Sequence, residues 1–389
     1  MKKNRATLID PMSWAEVSRK AIEHNLAQVR ALAKANPCHK RHKKRPFLSE
    51  ILAVVKADAY GHGMEGVAGL LQEQGVSFFA VSDVNEAIKL RACGIDQNIL
   101  VFRSNLPESI RPIIHYDLIP TVYTLGFAQS LNRSAVKAKK RIPVHLKIDT
   151  GMGRAGIWYK DAYSLVKRIF GLSNLSVQGI YTHFPAADTN QKFTYRQIKI
   201  MEKLIEHLDS EGIVIPFVHA ANSAGLIAYR TQIFNMFRPG LMIYGLYPHP
   251  GLKRKMYLMP ALSVKSKVLY ARATEKGCNI SYGGTFITKK KMKLATVPIG
   301  YNDGYPRLLS NKAFVLIRGQ RCPVLGRVTM DQIVVDVTKL RGVKAGDIAV
   351  ILGRQGGKSI TADDLARMAR TINYEIVCSL GNRLSRRWK

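Results

Sequence analysis

Lys56 follows the apolar run ILAVV at residues 51–55, which has the composition of a buried strand. A lysine that loses hydration at a strand end has a lowered pKa, because burial disfavours its charged form. The free amine can then form a Schiff base with an aldehyde. Four positions further on, Tyr60 could reach an anion near the amine, and Gly61 and Gly63 allow a tight backbone turn. The alternative at this position is a solvated lysine of no chemical role.

Eight short apolar runs follow one another along the first two thirds of the chain, and helical patterns separate most of them. This alternation predicts an α/β fold, a parallel (β/α)8 barrel in which reactive residues sit at the carboxyl ends of the strands. Lys56, His183 and Asn222 would lie at those ends. The predicted strands cover residues 51–55, 77–81, 98–102, 118–122, 144–148, 177–182, 214–220 and 238–245.

Two further patterns flank the predicted barrel. After the eighth run, apolar residues alternate with period two between glycine-rich turns, which predicts a mainly β domain. Before the first run, residues 13–36 have apolar residues at helical spacing, and Ser13 and Glu16 match a capping box, which predicts one amphipathic helix. We therefore expect a barrel domain at residues 1–258 and a β domain at residues 259–389.

The chain is strongly basic: its 389 residues include 60 Lys+Arg and 27 Asp+Glu, for a net charge of +33. Such a surface attracts polyanions without reading their sequence. No zinc-finger, homeodomain or RNA-recognition signature accompanies the charge, so we expect a generally basic enzyme surface and no specific nucleic-acid partner. The basic residues cluster at 39–45, 137–141, 252–255, 288–293 and 383–389.

The five cysteines are far apart and none forms a C-x-x-C pair, which indicates reduced thiols without a disulfide framework or a zinc site. The N-terminal residues MKKNRATLIDPMSW are basic, but no apolar stretch of signal-peptide length follows them. No segment approaches about 18 consecutive apolar residues, so no membrane span is predicted. We expect a cytoplasmic protein without a bound metal.

Several motifs, in one consistent order, resemble the alanine racemase family, whose members are pyridoxal-phosphate (PLP) enzymes of fold type III. AVVKADAYGHG resembles the family's cofactor-lysine motif, and the resemblance extends from SWAEV to NYEIVCSL. It implies a barrel followed by a β domain, PLP as the cofactor, and the interconversion of L- and D-alanine. The other matching motifs are LKIDTGMGRAG, THFPAAD, HAANSAG, FRPGLMIYG, SYGGTF, PIGYNDGYPRLL and GRVTMDQ.

The resemblance implies two bases. Lys56 would hold the cofactor and then act as one base, and Tyr282 in SYGGTF would be the other, reaching the barrel of a partner subunit. Racemisation needs a proton removed from one face of a planar centre and returned to the other, which two opposed bases achieve with little motion. The implied functional unit is therefore a homodimer with shared active sites. From the residues alone, Tyr282 could equally be a strand residue that packs a sheet.

Three residues of the barrel resemble the family's contacts to the pyridine ring. Arg238 resembles the arginine that faces the ring nitrogen. Because arginine keeps its proton, the nitrogen stays unprotonated and the ring is a weaker electron sink, which limits side reactions. His219 would orient Arg238, and His183 would stack against the ring. Without the resemblance, Arg238 could be a surface residue and His219 a satisfied core histidine.

The cofactor phosphate needs hydrogen-bond donors. Asn222 and Ser223 precede a helical pattern, and a helix amino end binds anions, although this pair could also be a simple N-cap. The resemblance adds the backbone amides of Gly240 and Leu241 and the hydroxyl of Tyr60.

Substrate contacts are implied for two residues. Arg154 resembles the arginine that contacts the cofactor's phenolic oxygen and the substrate carboxylate, and the Met330 amide, beside Asp331, resembles the partner subunit's lining. Lys147 aligns with a lysine that is often carbamylated in the family, and a carbamate could hold Arg154 by charge-assisted hydrogen bonds. The residues that match the family's access channel are Asp188, Tyr301, Arg307 and Arg327.

One departure from the family concerns specificity. Where the family usually has a tyrosine beside the cofactor phosphate, this chain reads CSLGNR and has Asn382. A shorter, polar residue predicts a wider pocket that could admit serine, and such a change shifts preference by about 1–3 kcal/mol. A serine or broad-specificity racemase on the same scaffold is therefore the alternative function.

Two other classes of function remain open from the sequence. A decarboxylase of the same fold would have a carboxylate at the pyridine nitrogen and a cysteine opposite the lysine, whereas this chain has Arg238 and Tyr282. A non-catalytic protein that binds nucleic acid or anionic surfaces would explain the charge but not the ordered set of motifs. The family alone implies a role in supplying D-alanine for peptidoglycan.

Overall fold

The computed structural model describes residues 10–36, 49–103, 106–381 and 383–389. The chain forms two compact units, Ala21–Pro260 and a second made of Met1–Lys20 with Ala261–Lys389. The predicted domain ranges differ from this division at the N-terminus, since the first strand groups with the C-terminal unit.

The helices are α1 (Arg19–Lys34), α2 (Lys56–Gly61), α3 (Met64–Glu73), α4 (Val84–Ala92), α5 (Ile110–His115), α6 (Leu125–Lys137), α7 (Ala162–Phe170), α8 (Gln191–Ser210), α9 (Ser223–Ala228), α10 (Ala362–Ala369) and α11 (Asn373–Cys378). Short 3-10 helices occur at Pro107–Ser109, Pro250–Arg254, Tyr282–Gly284, Tyr301–Asp303 and Arg307–Leu309.

The strands of the first unit, with β1 from the second, are β1 (Ser13–Val17), β2 (Glu50–Val54), β3 (Phe78–Val81), β4 (Asn98–Val101), β5 (Ile119–Val122), β6 (Ile142–Asp149), β7 (Ile157–Trp158), β8 (Leu175–Tyr181), β9 (Phe217–Asn222) and β10 (Met236–Arg238). The remaining strands are β11 (Leu262–Lys267), β12 (Tyr270–Thr274), β13 (Asn279–Ile280), β14 (Phe286–Ile287), β15 (Met292–Val297), β16 (Phe314–Ile317), β17 (Gln320–Leu325), β18 (Ile333–Asp336), β19 (Ile348–Gln355), β20 (Lys358–Ile360) and β21 (Ser385–Trp388).

Eight parallel strands of the first unit close into a barrel. Their order is β5-β4-β3-β2-β10-β9-β8-β6, and a β5–β6 pairing completes the ring. Helices follow most strands, which puts apolar surface on both faces of the sheet and explains why strands such as β3, FFAV, are buried at every position. The predicted α/β fold class is confirmed, and all polypeptide that leaves a strand at its carboxyl end meets at one rim.

The eighth strand is shorter than the predicted run at residues 238–245. Strand β10 ends at Arg238 because Pro239 has no N–H group to continue the ladder. The amides of Gly240 and Met242 turn instead to the hydroxyl oxygen of Ser223, at 3.1 and 3.3 Å. The apolar run therefore ends in a turn rather than a strand.

The second unit is mainly β, as predicted. Its principal sheet has the order β12-β15-β18-β17-β16-β19-β11-β1-β21. The predicted helix over residues 13–36 is wrong in its first part: β1 pairs antiparallel with β11 and parallel with β21, and α1 begins only at Arg19. Ser13 accepts no helix amide and so caps no helix; its hydroxyl donates to the carbonyl oxygen of Pro298 at 2.6 Å. Sheet pairing has overridden the local helical spacing.

Four further predictions from the sequence concern disulfides, membrane spans, metal sites and the basic runs. The described cysteines, Cys93, Cys278, Cys322 and Cys378, form no disulfide with one another. Among the described residues no helix is long and apolar enough to cross a membrane, and no cluster of His, Cys, Asp or Glu in the same ranges could hold a metal ion. The basic run at 39–45 lies outside the described residues.

Candidate active site at the barrel rim

Lys56 begins a turn of unusual backbone conformation at the end of β2. The four residues that follow it, none of them glycine, have φ between 52° and 54° and ψ between 42° and 52°, so α2 is left-handed. Each L-residue in that region costs roughly 1–2 kcal/mol relative to a right-handed helix. Strain of this kind persists only where surrounding contacts impose it, and it clusters at functional sites. Lys56 itself is half-buried, with Nζ 5.9 Å from the centre of the Phe102 ring.

Lys147, on β6, is a buried lysine among positive charges. Burial, followed by the charges of Arg154 and Arg238, lowers its pKa from 10.5 to about 8. Its side chain is only 9% exposed. A neutral amine fraction near pH 8 suits a nucleophile that reacts with carbon dioxide, since only the neutral amine attacks.

A pH-dependent stability difference is expected for Lys147→Met in protein freed of cofactor and carbon dioxide. The folded pKa of Lys147 lies below the unfolded one, so between about pH 8 and 10.5 the unfolded chain binds more protons and stability rises with pH. The methionine variant should therefore unfold at higher temperature than wild type at pH 7, and this advantage should shrink by pH 10. Thermal unfolding measures it, with the exposed Lys160→Met as control; a pH-independent difference would contradict the depressed pKa.

Arg238, at the end of β10, is the buried cation of the site. Its side chain is 3% exposed and donates to the carbonyl oxygens of Thr182 and Ala220 at 2.8 and 2.9 Å. It also lies 3.4 Å from His183 Nδ1 and 2.8 Å from His219 Nδ1. Burial lowers its pKa to about 10, which leaves the guanidinium charged at neutral pH.

Two buried histidines, His219 and His145, form a hydrogen-bonded chain that begins at Arg238. His219 Nε2 lies 2.9 Å from His145 Nδ1. Burial, and then the charge of Arg238, lowers the pKa of His145 to about 3 and that of His219 well below 6.5, so both rings are neutral. Because Arg238 can only donate, His219 accepts at Nδ1 and donates from Nε2, which leaves the proton of His145 on Nε2. His219 also stacks on Tyr181 at 4.7 Å.

His183 lies in the loop that follows β8, and a contact from α8 holds it there. Gln197, on α8, donates to the His183 carbonyl oxygen at 3.1 Å and to the Thr150 hydroxyl at 2.9 Å. Removal from solvent, and then the charges of Arg238 and Arg154, holds the pKa of His183 well below 6.5. A neutral imidazole in a cationic surrounding can contact an aromatic ring without adding charge.

The residues predicted to bind a phosphate lie together at the start of α9. Asn222 caps this helix through Gly225 N at 2.9 Å. Because the Ser223 hydroxyl oxygen accepts the amides of Gly240 and Met242, its own hydrogen is left to donate elsewhere. A Cβ at Gly240 would lie 2.6 Å from the Tyr60 hydroxyl oxygen, so a larger residue there would displace the Tyr60 ring. Leu241 follows in the same buried turn.

The second unit presents Tyr282 outward. Tyr282 is 73% exposed and starts a short 3-10 helix between Ser281 and Gly283, whose φ values are 64° and 70°. Ser281 donates to the carbonyl oxygen of Arg327 at 2.6 Å, and a Cβ at Gly283 would lie 3.0 Å from Arg327 Cζ. The tyrosine is thus an exposed aromatic on a backbone that is held in a strained conformation.

Met330 and its neighbours form a second exposed group in that unit. Met330 is 52% exposed. Its carbonyl oxygen accepts the Asn302 amide at 3.1 Å, which ties it to the helix of Tyr301. Asp331 pairs with Arg383 at 2.6 Å. Tyr301 and Arg307 are exposed and Arg327 is half-buried in this unit, whereas Asp188 and Arg154 lie in loops of the barrel unit. Asn382 lies outside the described residues.

Two residues of the site were missed from the sequence. His145 precedes Lys147 by two positions on β6, so strand alternation places both on one face, and that spacing could have revealed it. Gln197 gave no signal, because a glutamine within an amphipathic helix is ordinarily a solvent-facing residue. Its side chain is fully buried here.

The rim of the barrel has a lysine on a strained turn, a buried arginine and a predicted phosphate cradle made of Asn222, Ser223 and Gly240, and a β unit with an exposed tyrosine follows the barrel. This combination is typical of PLP-dependent amino-acid racemases. Two family models agree: "Alanine racemase, N-terminal domain" matches residues 17–248, and "Alanine racemase, C-terminal domain" matches residues 261–388. The chain belongs to the alanine racemase family.

Individual relatives support the assignment over the full length. The alanine racemase of Halothermothrix orenii is 42% identical over 97% of both chains. A solved alanine racemase of Clostridium difficile 630 has a TM-score of 0.90 and 34% identity, covering 98% of this chain and 97% of that one. The Bartonella henselae alanine racemase, solved with covalently bound pyridoxal phosphate, has a TM-score of 0.84 and 26% identity, covering 98% and 100%.

The residues of the barrel rim fit PLP. Lys56 would supply the amine for the aldehyde, and the Ser223 and Tyr60 hydroxyl groups would be the donors for the phosphate. The described partners of Arg238 are histidine nitrogens and backbone carbonyl groups. Its charge is therefore not neutralised by a carboxylate, and a buried cation of this kind suits an unprotonated ring nitrogen.

Proposed function

We propose that this protein interconverts L- and D-alanine, with PLP attached to Lys56, as a homodimer whose active sites combine residues of both subunits. The observation that carries the proposal is a single electrostatic cluster at the barrel rim. The positive charges of Lys56, Arg154 and Arg238 all lower the pKa of His183. The same three charges lower the pKa of Lys147. A lysine, two arginines and a phosphate cradle at one place suit a cofactor with an aldehyde, an anionic group and a ring nitrogen.

The chain's own residues would divide the chemistry between two faces of the substrate. The bound cofactor withdraws electrons from an attached amino acid and so acidifies its Cα–H bond. Lys56 takes or returns the proton at Cα on one face, and Tyr282 of the partner subunit does so on the other. The exposure of Tyr282 supports this role, because a tyrosine that serves another subunit must project from its own.

The remaining residues position the reactants. Arg238, aligned by His219, would face the ring nitrogen of a bound cofactor, and His183 would contact its ring. Arg154 and the Met330 amide of the partner subunit bind the substrate carboxylate. The neutral amine of Lys147 attacks carbon dioxide, forms a C–N bond and releases one proton, and the resulting carbamate holds Arg154. Asp188 of the barrel, with Tyr301, Arg307 and Arg327 of the partner subunit, lines the access channel.

The test is a racemisation assay on optically pure amino acids. We expect wild-type protein to convert L-alanine and D-alanine into the same mixture, to show the visible absorbance band of PLP bound as a Schiff base, and to lose that band with borohydride. Colourless protein that takes up no PLP and leaves alanine unchanged would contradict the proposal. A kcat/KM for L-serine equal to or above that for L-alanine would instead favour the serine alternative raised by Asn382.

The cellular role is proposed as the supply of D-alanine for peptidoglycan in the cytoplasm. The described cysteines form no disulfide with one another, which supports a reducing compartment.

A further inference from the structure

One glutamate outside the predicted site contacts the strained turn after Lys56. The Glu86 carboxylate accepts the Ala57 amide at 2.7 Å through Oε1 and the Ser82 amide at 2.6 Å through Oε2. Ala57 follows the reactive lysine directly, and Ser82 follows the last residue of β3. Hydrogen bonds from backbone amides to a carboxylate are charge-assisted and short, as both of these are.

The position of Glu86 on its own helix makes these contacts informative. Glu86 is the third residue of α4, whose N-cap Asp83 accepts the amides of Asn85 and Glu86. A glutamate at this place ordinarily bonds back to the N-cap amide of its own helix. Here one carboxylate oxygen goes to the residue before the cap, and the other crosses to a residue 29 positions earlier in the chain. Helix capping alone does not require the second contact.

The turn that Glu86 contacts needs external support. Ala57, Asp58, Ala59 and Tyr60 have left-handed backbone conformations that L-residues avoid. The far end of the turn is held by Asp58 Oδ1, which accepts the Met64 amide at 2.8 Å. At the end near Lys56, the Ala57 amide donates to the Glu86 carboxylate.

We propose that Glu86 is a positioning residue: by joining the carboxyl ends of β2 and β3 through the Ala57 and Ser82 amides, it holds the left-handed turn and fixes the direction in which the Lys56 side chain leaves its strand. The link to catalysis rests on the proposed function of Lys56; the link to the turn does not. Because a misplacement of about 1 Å can cost about 100-fold in rate, a clamp one residue from the reactive amine controls turnover.

The first experiment uses the cofactor-free protein and needs no activity. Glu86→Gln keeps the size of the side chain but has only one oxygen to accept two amides, so hydrogen exchange over residues 56–60 should quicken about 10- to 100-fold. The matched control is Glu206→Gln, which removes the same charge from an exposed position on α8. Exchange over residues 56–60 equal to that of the control would overturn the clamp.

The second experiment measures the loaded enzyme at full PLP occupancy. Glu86→Gln should lower kcat for alanine about 10- to 100-fold with KM nearly unchanged, and Ala57→Gly should recover part of that loss, since glycine adopts a φ of 54° without steric cost. A role in helix stability alone would lower the unfolding temperature and leave kcat unchanged, which would also overturn the proposal.

A third variant covers the case in which Glu86→Gln does not fold. Glu86→Asp keeps the charge at the start of α4 but is shorter by one methylene, so it should lose the Ala57 contact and reproduce the faster exchange and lower kcat. Wild-type behaviour of this variant would contradict the inference. Hydrogen exchange over residues 56–60 can quicken in the Glu86 variants while neither they nor wild type racemises alanine. In that case the proposed function fails and the role of Glu86 in holding the turn stands.

Discussion

Mixing two inactive variants, Lys56→Ala and Tyr282→Phe, is expected to restore about one quarter of the wild-type racemase activity when the chains are unfolded and refolded together. Each variant alone should be almost inactive. Lys56→Ala removes both the cofactor's anchor and one base, and Tyr282→Phe removes a general acid–base group worth about 10²–10⁴-fold in rate.

The expected fraction follows from a site shared between subunits. Random pairing makes about half of all dimers mixed, and in each mixed dimer one of the two sites has a native lysine from one chain and a native tyrosine from the other. Sharing is the proposal under test; its basis in the structure is that Tyr282 is 73% exposed on its own chain. An exposed tyrosine of this kind is available to reach the active site of a partner subunit.

The control mixes Lys56→Ala with Arg238→Met. Both substitutions lie in the barrel unit, so every site of the mixed dimer contains one of them and no activity should return. Equal recovery of activity from the two mixtures would mean that the activity does not come from sites that combine Lys56 of one chain with Tyr282 of the other. No recovery from the first mixture, with dimers shown by ultracentrifugation, would place Tyr282 in its own subunit's site or outside it.

The sequence predicted the barrel well because its strands are buried on both faces and therefore read as continuous apolar runs. It failed for β1, where SWAEV continues into a segment with helical spacing. The partner of Ser13 is Ser266, more than two hundred residues away, and no local pattern contains that pairing. The end of β10 was also missed, since the apolar residues after Pro239 are buried in a turn rather than in a sheet.

The candidate site shows the same division between local and distant information. Motifs predicted Lys56 and Arg238 as site residues because a family resemblance fixes residue types at fixed spacing. The left-handed conformation of ADAY could not be predicted, since alanine, aspartate and tyrosine have no common preference for it. Glu86 and Gln197 were missed for a related reason: each acts through backbone groups of a distant segment, and a glutamate or glutamine on a helix has an ordinary solvent-facing interpretation.

The charge of Arg238 lowers the pKa of the buried histidines of the barrel. Arg238→Met is expected to lower kcat/KM for alanine about 10²–10³-fold, as the loss of one preorganised polar contact does at other active sites. The methionine cannot face a ring nitrogen with a cation, and His219 loses the donor that sets its tautomer. Racemisation kinetics at full PLP occupancy measure the effect. Arg168→Met, exposed on α7, is the control for the loss of one positive charge.

The same substitution should cost less stability than its hydrogen bonds suggest. Leaving the Thr182 and Ala220 carbonyl oxygens without a donor costs about 1–3 kcal/mol each. Removing a buried cation offsets part of that cost, because the charge was desolvated without a carboxylate partner. Activity should therefore fall much further than the unfolding free energy; a variant that is mostly unfolded at 25 °C would contradict this balance.

The pH dependence of Arg238→Met separates the electrostatic role of the arginine from its packing. In wild type, burial and then the charge of Arg238 depress the pKa of His183 and His219, so below about pH 6.5 the unfolded chain binds protons that the folded chain refuses. Stability consequently falls with acidification. Without Arg238 both pKa values should rise toward 6.5 and the fall should be smaller, so the stability gap between wild type and variant should be narrower at pH 5 than at pH 7.5. Urea unfolding at the two pH values measures this gap, and a gap of the same size at both pH values would show that burial alone, without the arginine's charge, keeps these histidines neutral.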